Sequence, residues 1–71
     1  MLLKLRWVHE GRHSQCTLFV GNPEQTMVNI GTLCMNQDEA IVFRQTVRQG
    51  IQGEGFTGIL ESGWKAGGGD E

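Results

Sequence analysis

Apolar and polar residues alternate over residues 2–9, with Leu3, Leu5 and Trp7 on one side and Lys4 and Arg6 on the other. That is the period of a strand with one buried face. Residues 14–21 repeat it. Joined as an antiparallel hairpin around the loop Glu10-Gly11-Arg12-His13, the two strands set Leu3 opposite Val20, Leu5 opposite Leu18 and Trp7 opposite Cys16. Every inward pair is then apolar, and a one-residue slip would turn one strand's apolar set to the wrong face. Gly21-Asn22-Pro23-Glu24 reads as a turn, since Pro23 cannot donate to a central ladder. A third extended stretch, residues 26–35, is apolar on both sides: Met27, Leu33 and Met35 on one, Val28, Ile30 and Cys34 on the other. Leu33 and Met35 are assigned inward, so that Gly31 falls where backbones approach closely and Asn36 can cap the next element.

The period then changes to that of a helix over residues 37–49. Asn36 is a good N-cap, Glu39 holds the capping-box position, Asp38 places negative charge in the first turn, and Arg48 and Gly50 mark the end. Steps of 100° align Ala40, Phe43, Val47 and Ile51 into one stripe facing the sheet, with Ile41 at its flank. Val42, about 200° from Ala40, is left exposed. Residues 54–65 form a glycine-rich arm in which Phe56 to Leu60 is expected to be a short fourth strand, and residues 66–71 an acidic, disordered tail. The expectation is a single small α+β domain over residues 1–65. It has a three- to four-stranded antiparallel sheet with one helix on one face, ordered βββα with a possible C-terminal strand.

Composition narrows the functional classes more than it selects one. At 71 residues only about 60% of the unfolded surface is buried on folding, so help from a partner subunit is expected. Two cysteines are too few for a disulfide scaffold, and the N-terminal stretch lacks the apolar core of a secretory signal. Both point to a cytoplasmic protein with reduced thiols. No apolar run approaches the roughly 20 residues of a membrane span. Residues 1–53 carry five basic and four acidic side chains, and residues 54–71 one and four. A near-neutral body with an acidic tail lacks the dense basic footprint of a phosphate-binding surface.

Once the helix covers Leu3, Leu5 and Trp7, the other side of the sheet still shows Val8, Phe19, Val28 and Ile30 among Lys4, Arg6 and Thr17. A mixed apolar and basic face of this kind calls for a cover. Either the arm from Phe56 to Trp64 folds back over it, or a second copy or another protein does, with the glycine-rich hinge permitting exchange between subunits.

The residue types that could carry chemistry are present without the spacing it needs. His9, His13, Cys16 and Cys34 lack the paired C-x2-C knuckle of a zinc site, and the hairpin register puts Cys16 in the core. His9 falls opposite Ser14, where a hydrogen bond is expected. Nucleophilic catalysis would further need an orienting carboxylate and an oxyanion hole, and Glu10 points to the opposite face. Gly53-Glu54-Gly55-Phe56-Thr57-Gly58 spells G-x-G-x-x-G but follows a helix and places an acid where phosphate would sit. Arg44 and Arg48, one turn apart, could grip a phosphate or carboxylate, although solvated flanks of an apolar face account for them as well.

The runs CTLFVG and GTLCMNQDEAIVFRQ resemble, in outline, small phage and prophage proteins that pair a short hairpin with a capped helix. The resemblance implies a non-catalytic protein that binds and blocks a host protein, as anti-CRISPR and other anti-defence inhibitors do, and it transfers no site residue. The expected function is therefore a protein-interaction module, a homodimer that also binds a larger host protein. It would need no cofactor or metal and would contact its partner through Phe19, Val28, Ile30, Val42, Phe56 and Trp64. The alternative is a dimeric nucleic-acid-binding regulator presenting Lys4, Arg6, Arg44 and Arg48.

Overall fold

The computed structural model describes residues 1–22, 26–50 and 55–64. Strands β1 (Leu2–Glu10), β2 (His13–Gly21) and β3 (Val28–Asn36) are followed by helix α1 (Gln37–Gly50) and strand β4 (Gly58–Ser62). They form one sheet in the order β3-β2-β1-β4 with the helix on one face, an α+β fold. Ile51, expected on the helix stripe, and the tail at 66–71 lie outside the described residues.

The hairpin register is the one the alternation dictates: Leu3 pairs with Val20, Leu5 with Leu18, Trp7 with Cys16 and His9 with Ser14. Pairing runs on to Glu10 and His13, so the loop is two residues rather than four. Gly11 makes that possible, since its φ of 59° suits the first central position of a tight hairpin turn. The core is Leu3, Leu5, Trp7, Cys16 and Ala40, with Leu18, Val20, Met35, Phe43 and Val47 packed around it. The capping box closes as expected: the Glu39 N–H donates to Asn36 Oδ1 at 2.8 Å and the Asn36 N–H to Glu39 Oε1 at 2.9 Å.

Two expectations about the sheet need correction. Strand β3 pairs Cys16 with Leu33 and Ser14 with Met35, which puts Leu33 and Met35 on the helix side as assigned. Between Leu18 and Phe19, however, the register shifts by one residue: Ile30 stands opposite no residue of β2, and Val28 pairs with Val20. Cross-strand partners share a face, so Val28 lies on the helix side of the sheet, not beside Phe19. A bulge cannot be read from a strand whose two faces are both apolar.

The second correction concerns the arm. It becomes β4 as expected, but pairs with β1 in parallel, Leu3 beside Ile59 and Leu5 beside Glu61, so the sheet is mixed rather than wholly antiparallel. The crossover through α1 returns the chain in the direction of β1, which requires parallel pairing. The Thr57 N–H and its hydroxyl both donate to the Met1 carbonyl, at 2.8 and 3.1 Å, and align the arm with the start of β1. Because the arm adds a strand at the edge of the sheet, Phe56 to Trp64 do not fold over the second face.

Candidate functional site

The helix-side surface has its own polar centre, assembled by β4. In the register with β1, Glu61 lies beside Leu5 and therefore points inward under the helix. Its carboxylate, 9% exposed, accepts hydrogen bonds from Arg44 Nε at 2.8 and 3.0 Å and from an Arg48 terminal nitrogen at 2.8 Å. The Trp7 indole N–H donates to it at 2.8 Å. Burial alone would raise the Glu61 pKa. The hydrogen bonds from Arg44, Arg48 and Trp7, with the Arg44 charge, outweigh burial and hold it below the ordinary carboxylate value.

Around this carboxylate the aromatic rings close up. Trp64 packs edge-on against Trp7 at 4.9 Å and against His9 at 5.6 Å, Phe43 meets Trp7 at 6.1 Å, and the Arg44 guanidinium lies 4.9 Å from the Trp64 ring centre. Gly63 lets the chain reach Trp64. It holds a φ of 80°, and a Cβ there would overlap the Trp7 carbonyl oxygen. Arg44 and Arg48 therefore grip a carboxylate of their own chain, and Phe56 and Trp64 pack against the core. Among the residues expected to contact a partner, Arg44 and Arg48 thus stand on the helix and Phe56 and Trp64 on the core side of the sheet. Sequence reasoning passed over Glu61; the available signal was an acid at an inward position of a short strand, within reach of two arginines one helical turn apart.

The opposite face is different in kind. Reading across the strands, Asn29, Phe19, Lys4 and Leu60 form one row, Thr32, Thr17, Arg6 and Ser62 the next, and Cys34, Gln15 and Val8 the third. Val8 and Leu60 remain 46% and 44% exposed, and Ile30 at the bulge 56%. Phe19 is half-buried between two cations, with Lys4 Nζ 5.8 Å and the Arg6 guanidinium 5.2 Å from its ring centre. Thr17 and Thr32 share a 3.1 Å hydrogen bond between their hydroxyls. Glu10, at the far end of β1, alternates onto this face as well. Val42 is exposed on the helix, away from this surface.

His9 Nδ1 lies 2.8 Å from Ser14 Oγ, the expected pair, and the His9 ring stacks parallel on Trp7 at 6.1 Å. Ser14 is completely buried. Cys16 is buried on the helix side and Cys34, paired with Gln15, is exposed on the other, so the two thiols cannot share a metal. Among the described residues no group of three or more His, Cys, Asp or Glu side chains could hold a metal ion. Desolvation, with the Glu61 charge second, pushes the Cys16 thiol up to about 11, which keeps it protonated and unreactive. Gly58 of the G-x-G-x-x-G run opens a strand, not a helix, so it cannot present the helix N-terminus a pyrophosphate needs. Among the described residues no helix is long and apolar enough to cross a membrane. Comparison with protein-family models, with curated proteins and with solved structures finds no match.

Proposed function

We propose that this chain is a non-catalytic binding module whose working surface is the helix-free face of the sheet, centred on Phe19 and ringed by Lys4, Arg6, Val8, Ile30 and Leu60. The observation that carries the reading is the distribution of cover. The helix, Phe56 and Trp64 all serve one face of the sheet, and the other keeps aliphatic side chains in water around a ring held between two cations. Its chemistry suits a protein surface with an apolar centre and acidic residues beside it, where Lys4 and Arg6 add complementarity and Phe19 supplies buried area. With the resemblance to small phage proteins, the proposed role is occupation of a functional surface on a larger host protein, a defence component among the candidates, in the cytoplasm.

The test is a parallel capture with the full chain and its Phe19→Gln variant, both shown by circular dichroism to be folded. A protein held by the first and released by the second, with a direct titration reproducing the difference, supports the reading. Equal retention of every captured protein overturns it. The alternative is nucleic-acid contact, for which Phe19 between Lys4 and Arg6 offers one stacking platform. Its arginine pair on the helix is already engaged by Glu61. Binding of a labelled oligonucleotide that weakens steeply with salt would select it.

A further inference from the structure

The two edges of the sheet are protected unequally. Strand β4 is five residues long and carries Glu61 pointing inward; short edges and inward charges both discourage another strand from adding. Strand β3 has neither device. Its nine residues, VNIGTLCMN, include no charge and no proline, and all but Met35 are exposed. The bulge at Ile30 and the side chain of Asn29, which accepts from the Gly31 N–H at 2.9 Å, disturb only the first half of the strand. From Gly31 to Met35 the edge is regular.

Which backbone groups face outward follows from the hairpin. A two-residue turn closes on a hydrogen-bonded pair, here Glu10 and His13, and such pairs recur at every second position. Odd residues of β2 therefore bond to β1 and even ones to β3, so Met35 and Leu33 turn toward Ser14 and Cys16. Thr32 and Cys34 then present their N–H and C=O groups at the open edge.

We propose that β3 pairs antiparallel with β3 of a second copy about a two-fold axis at Leu33, joining two sheets into one of eight strands. The occupant is a second copy because residues 31–35 complement themselves in this register. Thr32 and Cys34 of each copy exchange backbone hydrogen bonds with Cys34 and Thr32 of the other, so all four outward-facing residues are matched. Leu33, 44% exposed on the helix side, meets its own copy at a non-hydrogen-bonded position, where side chains stand closest. The long Met35 side chain falls opposite Gly31, which has none, and no like charges meet. The pairing is independent of what binds the Phe19 face, and it sets two such faces side by side. A contact of this length lies below the roughly 1,200 Å² of a standard interface, so the dimer is weak and concentration-dependent.

Sedimentation equilibrium of the full chain from low micromolar to millimolar concentration tests it. The expected result is a rise from monomer toward dimer mass, with Leu33→Lys raising the dissociation constant about tenfold or more by opposing two charges across the axis. A second variant, Leu33→Cys in a Cys34→Ser background, should give a disulfide-linked dimer on mild oxidation while keeping the native circular dichroism. Monomer mass throughout overturns the proposal. So does a dimer unaffected by Leu33→Lys and lost with Phe19→Gln, which would place self-association on the open face. Failure of the Leu33→Cys chain to cross-link removes the register even if Leu33→Lys proves unfolded. Only loss of the dimer with Phe19→Gln bears on partner capture through Phe19; the other outcomes leave it untouched.

Discussion

Trp7 and Phe19 are aromatic residues on adjoining strands of one sheet, and they point to opposite faces. Trp7 is buried, touched by three rings, and spends its indole N–H on Glu61. Phe19 has two cations against it and, among the described residues, no element packed over it. The contrast separates where this small chain puts its stability from where it leaves surface for other use. One face is a packed core with a satisfied charge cluster, and the other is an apolar patch with basic flanks. Variants that hit the two faces should therefore separate folding from binding.

The largest effect belongs to Trp7. Trp7→Ala removes the ring on which Phe43, Trp64 and His9 converge, and a buried aromatic truncation costs about 3–5 kcal/mol. Small domains have little more than that in total, so the variant should be largely unfolded by circular dichroism at room temperature. A cooperative urea transition near the wild-type midpoint would show that the core does not depend on this ring.

Glu61→Gln comes next. It keeps the shape, removes the charge shared by Arg44 and Arg48, and should lower stability by about 1.5–3 kcal/mol, toward the low end because Arg48 is solvent-exposed. The pH dependence has a definite sign. A carboxylate whose pKa is lowered in the folded state stabilises fully above its unfolded value and ceases to do so as pH falls through the folded one. The gap in urea midpoint between wild type and Glu61→Gln should be widest near neutral pH and close below the ordinary carboxylate range. A gap that stays constant down to acid pH would mean that the charge contributes nothing.

How far the sequence anticipates these two faces depends on the range of the signal. The hairpin register was legible because strict alternation and a short loop leave one solution, and the helix because Asn36, Glu39 and Gly50 mark its ends. The side on which Phe19, Lys4 and Arg6 stand follows from the same alternation. The Glu61 cluster was not legible, because it joins Trp7, Arg44 and Arg48 to a glycine-rich arm that has no period of its own. Without the parallel pairing of β4 with β1, Phe56 and Trp64 looked free to cover the open face, and Arg44 and Arg48 looked available to a ligand. Val28 was misplaced for a local reason: one bulged residue reverses the alternation of everything before it.

A smaller effect is expected at the helix start. Asn36→Ala removes the acceptor of the Glu39 N–H and should cost about 1 kcal/mol, measurable as a lower urea midpoint with an unchanged slope. Asn36→Asp should restore most of it, since either side chain can accept that bond. If Asn36→Ala is neutral, the capping box contributes nothing that water cannot replace.

The smallest effect on stability should come from Phe19→Gln, and that is what makes it informative. The ring is half-buried beside Lys4 and Arg6 and lies outside the core, so its loss costs the fold on the order of 1 kcal/mol or less. Against Trp7→Ala on the neighbouring strand, the same chemical change, loss of an aromatic ring, should leave a folded protein. If Phe19→Gln unfolds the chain, the open face is part of the core and has no separate use. If it folds and loses a partner, the two faces have divided labour, and the burial that Phe19 forgoes in the free chain is gained on binding.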